Sequence, residues 1–233
     1  MTEYAYTTLL ASNDYIYGVL GLYYSWKLTA SKYDFVLIIT DNISKENIDI
    51  VEQVGIDYII VPRYDFKHKN SKYNITWNKF YIYSLTNYKK VLFIDADAIL
   101  IENIDQVFEY TTPAFMALSP QFISGVMILE NPNTFTPNNF IKFRYQPDDE
   151  SVWNRIYSPK TVTDIGLYMG FIIHWSDGGD NTMKYWNYYN LNSSIMVENF
   201  INDQSAQSFN PLRKWHEERM ANRPGPFQKL LDK

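Results

Sequence analysis

The chain contains no cysteine. Disulfides and thiolate metal sites are therefore excluded. Basic residues are in deficit, with 21 Lys and Arg against 26 Asp and Glu, giving a net charge of -5. That balance argues against nucleic acid, whose phosphates are held by a cationic surplus, and against an anionic membrane surface. No apolar run approaches the roughly 20 residues that span a bilayer. The opening MTEYAYTTLL has neither a basic stretch nor a cleavable apolar core, so it does not read as a signal peptide, and a cytoplasmic setting, of a cell or an infected host cell, is expected. Repeats and low-complexity linkers are missing too. HEERM at His216 lacks the second histidine of a zincin motif, and no Gly-x-Ser-x-Gly occurs. Aromatics, by contrast, are plentiful, with 20 Tyr and 14 Phe, residues that line wet clefts as readily as cores.

The first 110 residues alternate strand and helix signals. Tyr4 to Ala11 reads as a strand, followed by helical spacing of Tyr15, Val19, Leu22 and Trp26, which predicts one apolar face. Asp34 to Thr40 is a continuous β-branched run, the mark of a strand buried on both sides. Ser44 to Gly55 is a helix with a serine cap and a glycine stop. Asp57 to Pro62 is a strand, Trp77 to Tyr88 another apolar helix face, and KVLFIDADAIL the next strand. This alternation predicts an α/β fold with a mostly parallel sheet flanked by helices, in which ligands bind beyond the carboxyl ends of the strands. The second half is less regular. Ser124 to Glu130 and Met169 to Trp175 are strand-like, Pro137 to Phe143 is helical, and QPDDESVWN reads as a polar stretch. Residues 1–210 are expected to form a single domain, with 211–233 as a helical or irregular tail.

Asp95 and Asp97 stand at such a strand end. In extended chain they point to the same side, where two carboxylates repel unless a proton or a cation intervenes. Oxygen donors suit a hard ion such as Mg²⁺ or Mn²⁺, which could hold a diphosphate. A solvated loop capping the segment behind it is the other reading of the same tripeptide.

The wider stretch WNKFYIYSLTNYKKVLFIDADAILIENIDQVFE resembles the signature segment of glycosyltransferase family 8, in its glycogenin-like branch. YTTLLASNDYIYGVLGLYYSWK resembles that family's first strand and nucleotide-gripping helix, with Tyr15 and Gly18 at matching places. ISGVMIL and IIHWSDGGDNTMKYW resemble its Asn-Ser-Gly-Val strand and metal-binding histidine segment. The resemblance implies a retaining enzyme of the GT-A (Rossmann-like) fold. It would use a UDP-sugar and Mn²⁺, with Mg²⁺ as the alternative ion. It implies Asp95, Asp97 and His174 as metal ligands, and Leu9, Ala11, Ser12 and Tyr15 around uracil and ribose. Ala96, Ser124 and Gly125 belong to the donor site, Lys79 meets the diphosphate or sugar, and Gly178 and Lys184 grip the diphosphate. Asp149 is implied as the catalytic carboxylate beside the donor sugar, with Asp148 as rival, and Lys79 is implied as a catalytic residue as well. The implied reaction moves a hexose, most simply glucose, to a hydroxyl of a glycan or protein. A homodimer is implied as well.

Three departures stand out. Ile123 replaces the family's asparagine. PDDES replaces Gly-Gly-Asp-Gln-Gly, so that Asp149 matches the aspartate and Glu150 the glutamine. Four extra residues separate His174 from Lys184, leaving Gly178 and Gly179 as equal candidates. A degenerate sugar-nucleotide-binding protein is therefore a competing expectation. A nucleotidyltransferase ranks lower, because LLASNDYIYG is neither basic nor glycine-rich.

Overall fold

Apolar, β-branched runs bounded by polar turns build the sheet in this computed structural model, which describes residues 2–64, 75–100, 103–118, 121–130, 143, 146, 148–158, 160–165 and 172–174. In chain order the elements are β1 (Tyr4–Leu10), α1 (Ile16–Leu28), β2 (Asp34–Thr40), α2 (Lys45–Val54), β3 (Asp57–Val61), β4 (Lys90–Ile94) and β5 (Ala98–Leu100). They are followed by β6 (Ala114–Leu118), β7 (Gln121–Glu130), α3 (Asp149–Ile156), β8 (Thr163–Asp164) and β9 (Ile172–His174). Seven strands form one sheet in the order β3-β2-β1-β4-β7-β6-β8, and β5 and β9 form a second, two-stranded sheet.

The expected parallel half is present: β3, β2, β1 and β4 pair in parallel. The sheet then turns mixed, because β7 runs antiparallel to β4 and β6 antiparallel to β7. Sequence patterning carries no mark of this reversal, and β6 and β8 were not anticipated from it. Ser44 caps α2 by accepting from the Asn47 amide, and Gly55 closes it at φ 78°, in the left-handed region that glycine adopts without a Cβ clash. Residues Thr76–Ser84 coil as a 3₁₀ segment, not an α-helix, with Trp77 to Tyr83 all buried. Helix α1 also differs from its expectation. Ile16, Val19, Leu20, Leu22, Tyr23 and Tyr24 are all buried, so no single face is apolar. The small sheet contributes to this: β5 packs against α1 in addition to the main sheet, and the Leu100 amide donates to Ser25 Oγ at 3.0 Å.

The core lies in two layers, one between the sheet and α1 and α2, the other between the sheet, the 76–84 segment and α3. At the sheet end opposite the aspartates, Asp105 accepts from Tyr6 Oη at 2.8 Å, Ser31 Oγ at 2.6 Å and the Lys32 amide at 3.1 Å. Burial, then that carboxylate, pushes the Tyr6 hydroxyl far above its ordinary range. No described helix is long and apolar enough to cross a membrane. The expected helix Pro137 to Phe143, apart from Phe143 itself, and the tail from residue 211 lie outside the described residues.

Candidate functional site

Where β4 ends, the chain turns sharply through Asp95, Ala96 and Asp97 into β5. The Asp95 amide donates to the Gly125 carbonyl at 2.8 Å, and the Ala98 amide donates back to the Asp95 carbonyl at 3.1 Å. The turn is thus tied both to itself and to β7. Helix α1 presses on it from the other side. A Cβ placed on Gly18 would run into the Ala96 carbonyl, so only glycine lets the helix approach this closely.

Lys79 reaches the same turn from the 76–84 segment. The residue is 7% exposed. Its ammonium lies 2.8 Å from Asp95 Oδ1 and 3.5 Å from Asp149 Oδ2, and donates to Ser124 Oγ at 3.3 Å. Ser124 in turn donates to Asp149 Oδ2 at 2.7 Å. Burial alone would lower the Lys79 pKa. The Asp149 and Asp95 charges outweigh it and hold the ammonium above its ordinary range. Asp95 is pushed upward, by burial first, with Lys79 opposing and Asp97 adding to the rise.

The segment read as polar, QPDDESVWN, proves to carry the start of α3. Asp148 caps it, Oδ1 accepting from the Ser151 amide at 2.7 Å. Trp153 then anchors it, fully buried with its ring centroid 4.5 Å from that of Phe80, on the segment that bears Lys79. The helix signal was present in the sequence: a capping aspartate, two acids in the first turn, then Val152 and Trp153. Anchoring buries Asp149 and half-buries Glu150. Burial, then Asp149 and Asp148, push the Glu150 carboxyl up to about 7, while Lys79 and a backbone hydrogen bond at Ser124 oppose the rise. Glu150 is the site residue that sequence reasoning left without a role.

That shift has a checkable consequence. The folded protein holds the Glu150 proton more tightly than the unfolded chain does. Folding is therefore penalised progressively as pH rises from about 4.5 to about 7. Glu150→Gln removes the penalty. Its melting temperature relative to the parent should rise between pH 5 and pH 8 by about 3 °C, on the order of 1 kcal/mol once solvent screening of a half-buried group is allowed for. A gap that does not change with pH would count against the assignment.

The expected residues divide into four groups. Leu9 lies on β1, and Ala11, Ser12 and Tyr15 form the turn from β1 into α1, at a carboxyl end neighbouring that of β4. Tyr15 is 38% exposed, not buried as a core tyrosine would be. Asp95, Ala96, Asp97, Lys79, Ser124, Gly125 and Asp149 come together around the β4 end, and Asp148 flanks them as the cap of α3. For His174 the backbone is described: it pairs with Ala98, one residue beyond Asp97. Gly178 and Lys184 lie outside the described residues. Ile123, in the place of the family's asparagine, packs half-buried against the core.

Among the described side chains, no three His, Asp or Glu stand together as a metal cage; the His174 side chain is not among them. The donor chemistry nevertheless suits a hard divalent ion. Asp95, Asp97, Asp149 and Glu150 converge around one lysine, an excess of negative charge that a cation relieves.

A model of glycosyl transferase family 8 matches residues 6–143. A UDP-glucuronate:xylan alpha-glucuronosyltransferase 1 of Arabidopsis thaliana is 35% identical over 192 residues, which cover 77% of this chain and 28% of that protein. Glycogenin-1 of Homo sapiens is 27% identical over 194 residues, covering 76% of this chain and 54% of that one. The chain thus spans between about a quarter and about half of the length of these curated relatives. Among solved structures, the glycosyltransferase GlyE of Streptococcus pneumoniae superposes with a TM-score of 0.58 at 18% identity, over 86% of this chain and 64% of that one. At that identity the likeness concerns the fold, which is of the GT-A type.

Proposed function

The chain belongs to glycosyltransferase family 8, and from that premise we propose that it transfers a hexose, most simply glucose, from a UDP-sugar to a hydroxyl of a glycan or protein, with retention at the anomeric carbon. One observation carries this reading: the buried Lys79–Asp95–Ser124–Asp149 cluster at the carboxyl end of β4, where an open α/β sheet binds its ligand.

Asp95, Asp97 and His174 would hold Mn²⁺, or Mg²⁺ in its place. Such an ion, when bound, neutralises the diphosphate and makes it a better leaving group. The rest falls to the chain itself. Ala11, Ser12 and Tyr15 receive the nucleoside at the β1 end, with Leu9 behind them. Gly18 lets α1 close on the Asp95–Asp97 turn, so the phosphates meet backbone on two sides. Lys79 supplies a fixed positive charge where negative charge develops, without reorganising. Ser124 orients Asp149 through its hydroxyl hydrogen bond. Asp149 then stabilises positive charge at the anomeric carbon, whether it attacks that carbon or steadies a front-face transfer. Gly178 and Lys184 are assigned to the departing diphosphate.

Thermal stability tests the reading directly. UDP at about 100 times its dissociation constant stabilises by about 2.7 kcal/mol, several degrees for a chain of this size. We expect that shift to need UDP and Mn²⁺ together and to vanish in Asp95→Ala/Asp97→Ala. A shift independent of the metal and of both aspartates, or no shift at all, would overturn the assignment.

A further inference from the structure

With the nucleoside placed at the β1 turn as proposed above, the order of the strands sets an order within the ligand. β1, with its nucleoside turn, lies on one side of β4, and β7, bearing Ser124, lies on the other. A nucleotide diphosphate centred on the Asp95–Asp97 turn, with its base toward β1, presents its sugar toward β7 and the start of α3. Three consecutive acids stand there: Asp148, Asp149 and Glu150. The start of a helix would ordinarily welcome an anion. Here one of the chain's own carboxylates uses that capacity, since Asp148 takes the Ser151 amide, while Glu150 is held by a backbone bond at Ser124 of β7. Among the described residues Lys79 is the cation of this cluster, and Asp95 and Asp149 already engage it.

We infer that the donor subsite is built for an uncharged sugar and rejects hexuronic acids, and that Glu150 is a residue that enforces the choice. The inference rests on the UDP-sugar reading above and deepens it. A uronate carboxylate brought to α3 meets like charge, and among the described residues the cation of the cluster, Lys79, is already engaged, a juxtaposition that binding sites use to turn ligands away. A neutral hexose meets no such barrier. Glu150 holds its proton for part of the time near neutral pH, so it can donate to a sugar hydroxyl as well as accept from one.

The test measures dissociation constants by calorimetry, in Mn²⁺, for UDP, UDP-glucose, UDP-galactose and UDP-glucuronic acid. UDP without sugar serves as the reference for each variant. The parent chain should bind UDP-glucuronic acid on the order of 30-fold more weakly than the better UDP-hexose. Glu150→Gln should narrow that ratio at least several-fold. Equal binding of uronate and hexose by the parent overturns the inference and leaves the transferase reading standing. So does a ratio that Glu150→Gln does not move. A parent that binds no UDP overturns both together. The parent's own ratio needs no variant to fold.

Discussion

A Lys79→Met variant is expected to unfold about 10 °C below the parent and to lose measurable transfer. The substitution keeps the bulk of the side chain and removes the charge with its hydrogen-bond donors. Asp149, 3% exposed, then keeps its Ser124 hydrogen bond but has no counter-charge, and Asp95 loses its partner at 2.8 Å. Stranding one half of a buried ion pair costs about 3–5 kcal/mol. For a chain of this size each kcal/mol is about 2–4 °C. Because Lys79 is held above the ordinary lysine range, the stabilisation is fully present at neutral pH and is lost only as pH climbs past that range. Adding Asp149→Asn to Lys79→Met should recover part of the loss, since it removes the stranded charge. That non-additivity separates a charge cluster from simple packing. A single-variant shift below about 2 °C would refute the buried-pair account.

The second large effect is expected at Gly18. Glycine to alanine inside a helix ordinarily stabilises by about 1 kcal/mol. Here the sign should reverse, because the new methyl meets the Ala96 carbonyl, a backbone atom that cannot swing aside. Either α1 lifts or the Asp95–Asp97 turn is displaced, at a cost of about 1–3 kcal/mol or more. On the proposed reading, displacement of that turn also moves the two carboxylates away from the nucleoside held at the β1 end. Gly18→Ala should therefore melt several degrees lower and bind UDP at least about tenfold more weakly, by calorimetry in Mn²⁺. Parental affinity together with an unchanged or raised melting temperature would show that the close approach has no role in binding.

Much of this was legible before any coordinates. β1, β2 and α2 announce themselves through apolar runs, a serine cap and a glycine stop, signals that are local and carry their own physics. The Asp95–Asp97 pair was legible for the same reason, as two like charges at the end of an apolar strand. What stayed hidden depended on partners distant in sequence. α1 read as one-sided because the helix packs against β5 as well as the main sheet, a contact with a segment distant in sequence. The reversal at β7 leaves no local trace, since a buried antiparallel strand and a buried parallel one have the same composition. The start of α3 was signalled by Asp148 and missed because a run of acids resembles a solvated turn until Trp153 is seen beneath it. Lys79 was singled out, but not its saturation by Asp95 and Asp149, which is a matter of three elements meeting.

The cover over α1 ties folding to function in one further way. It consists of two short strands, Ala98–Leu100 and Ile172–His174, contributed by parts of the chain far apart in sequence. One begins immediately after Asp97, and the other ends at His174. A two-stranded ribbon is marginal by itself, so this one opens more cheaply than the seven-stranded sheet. When it parts, α1 is exposed to water, and His174 leaves its place beside Ala98 in the same movement. On the proposed reading, in which His174 binds the metal, opening of this ribbon removes a ligand from the site, so donor binding and the packing of β5 on α1 are coupled.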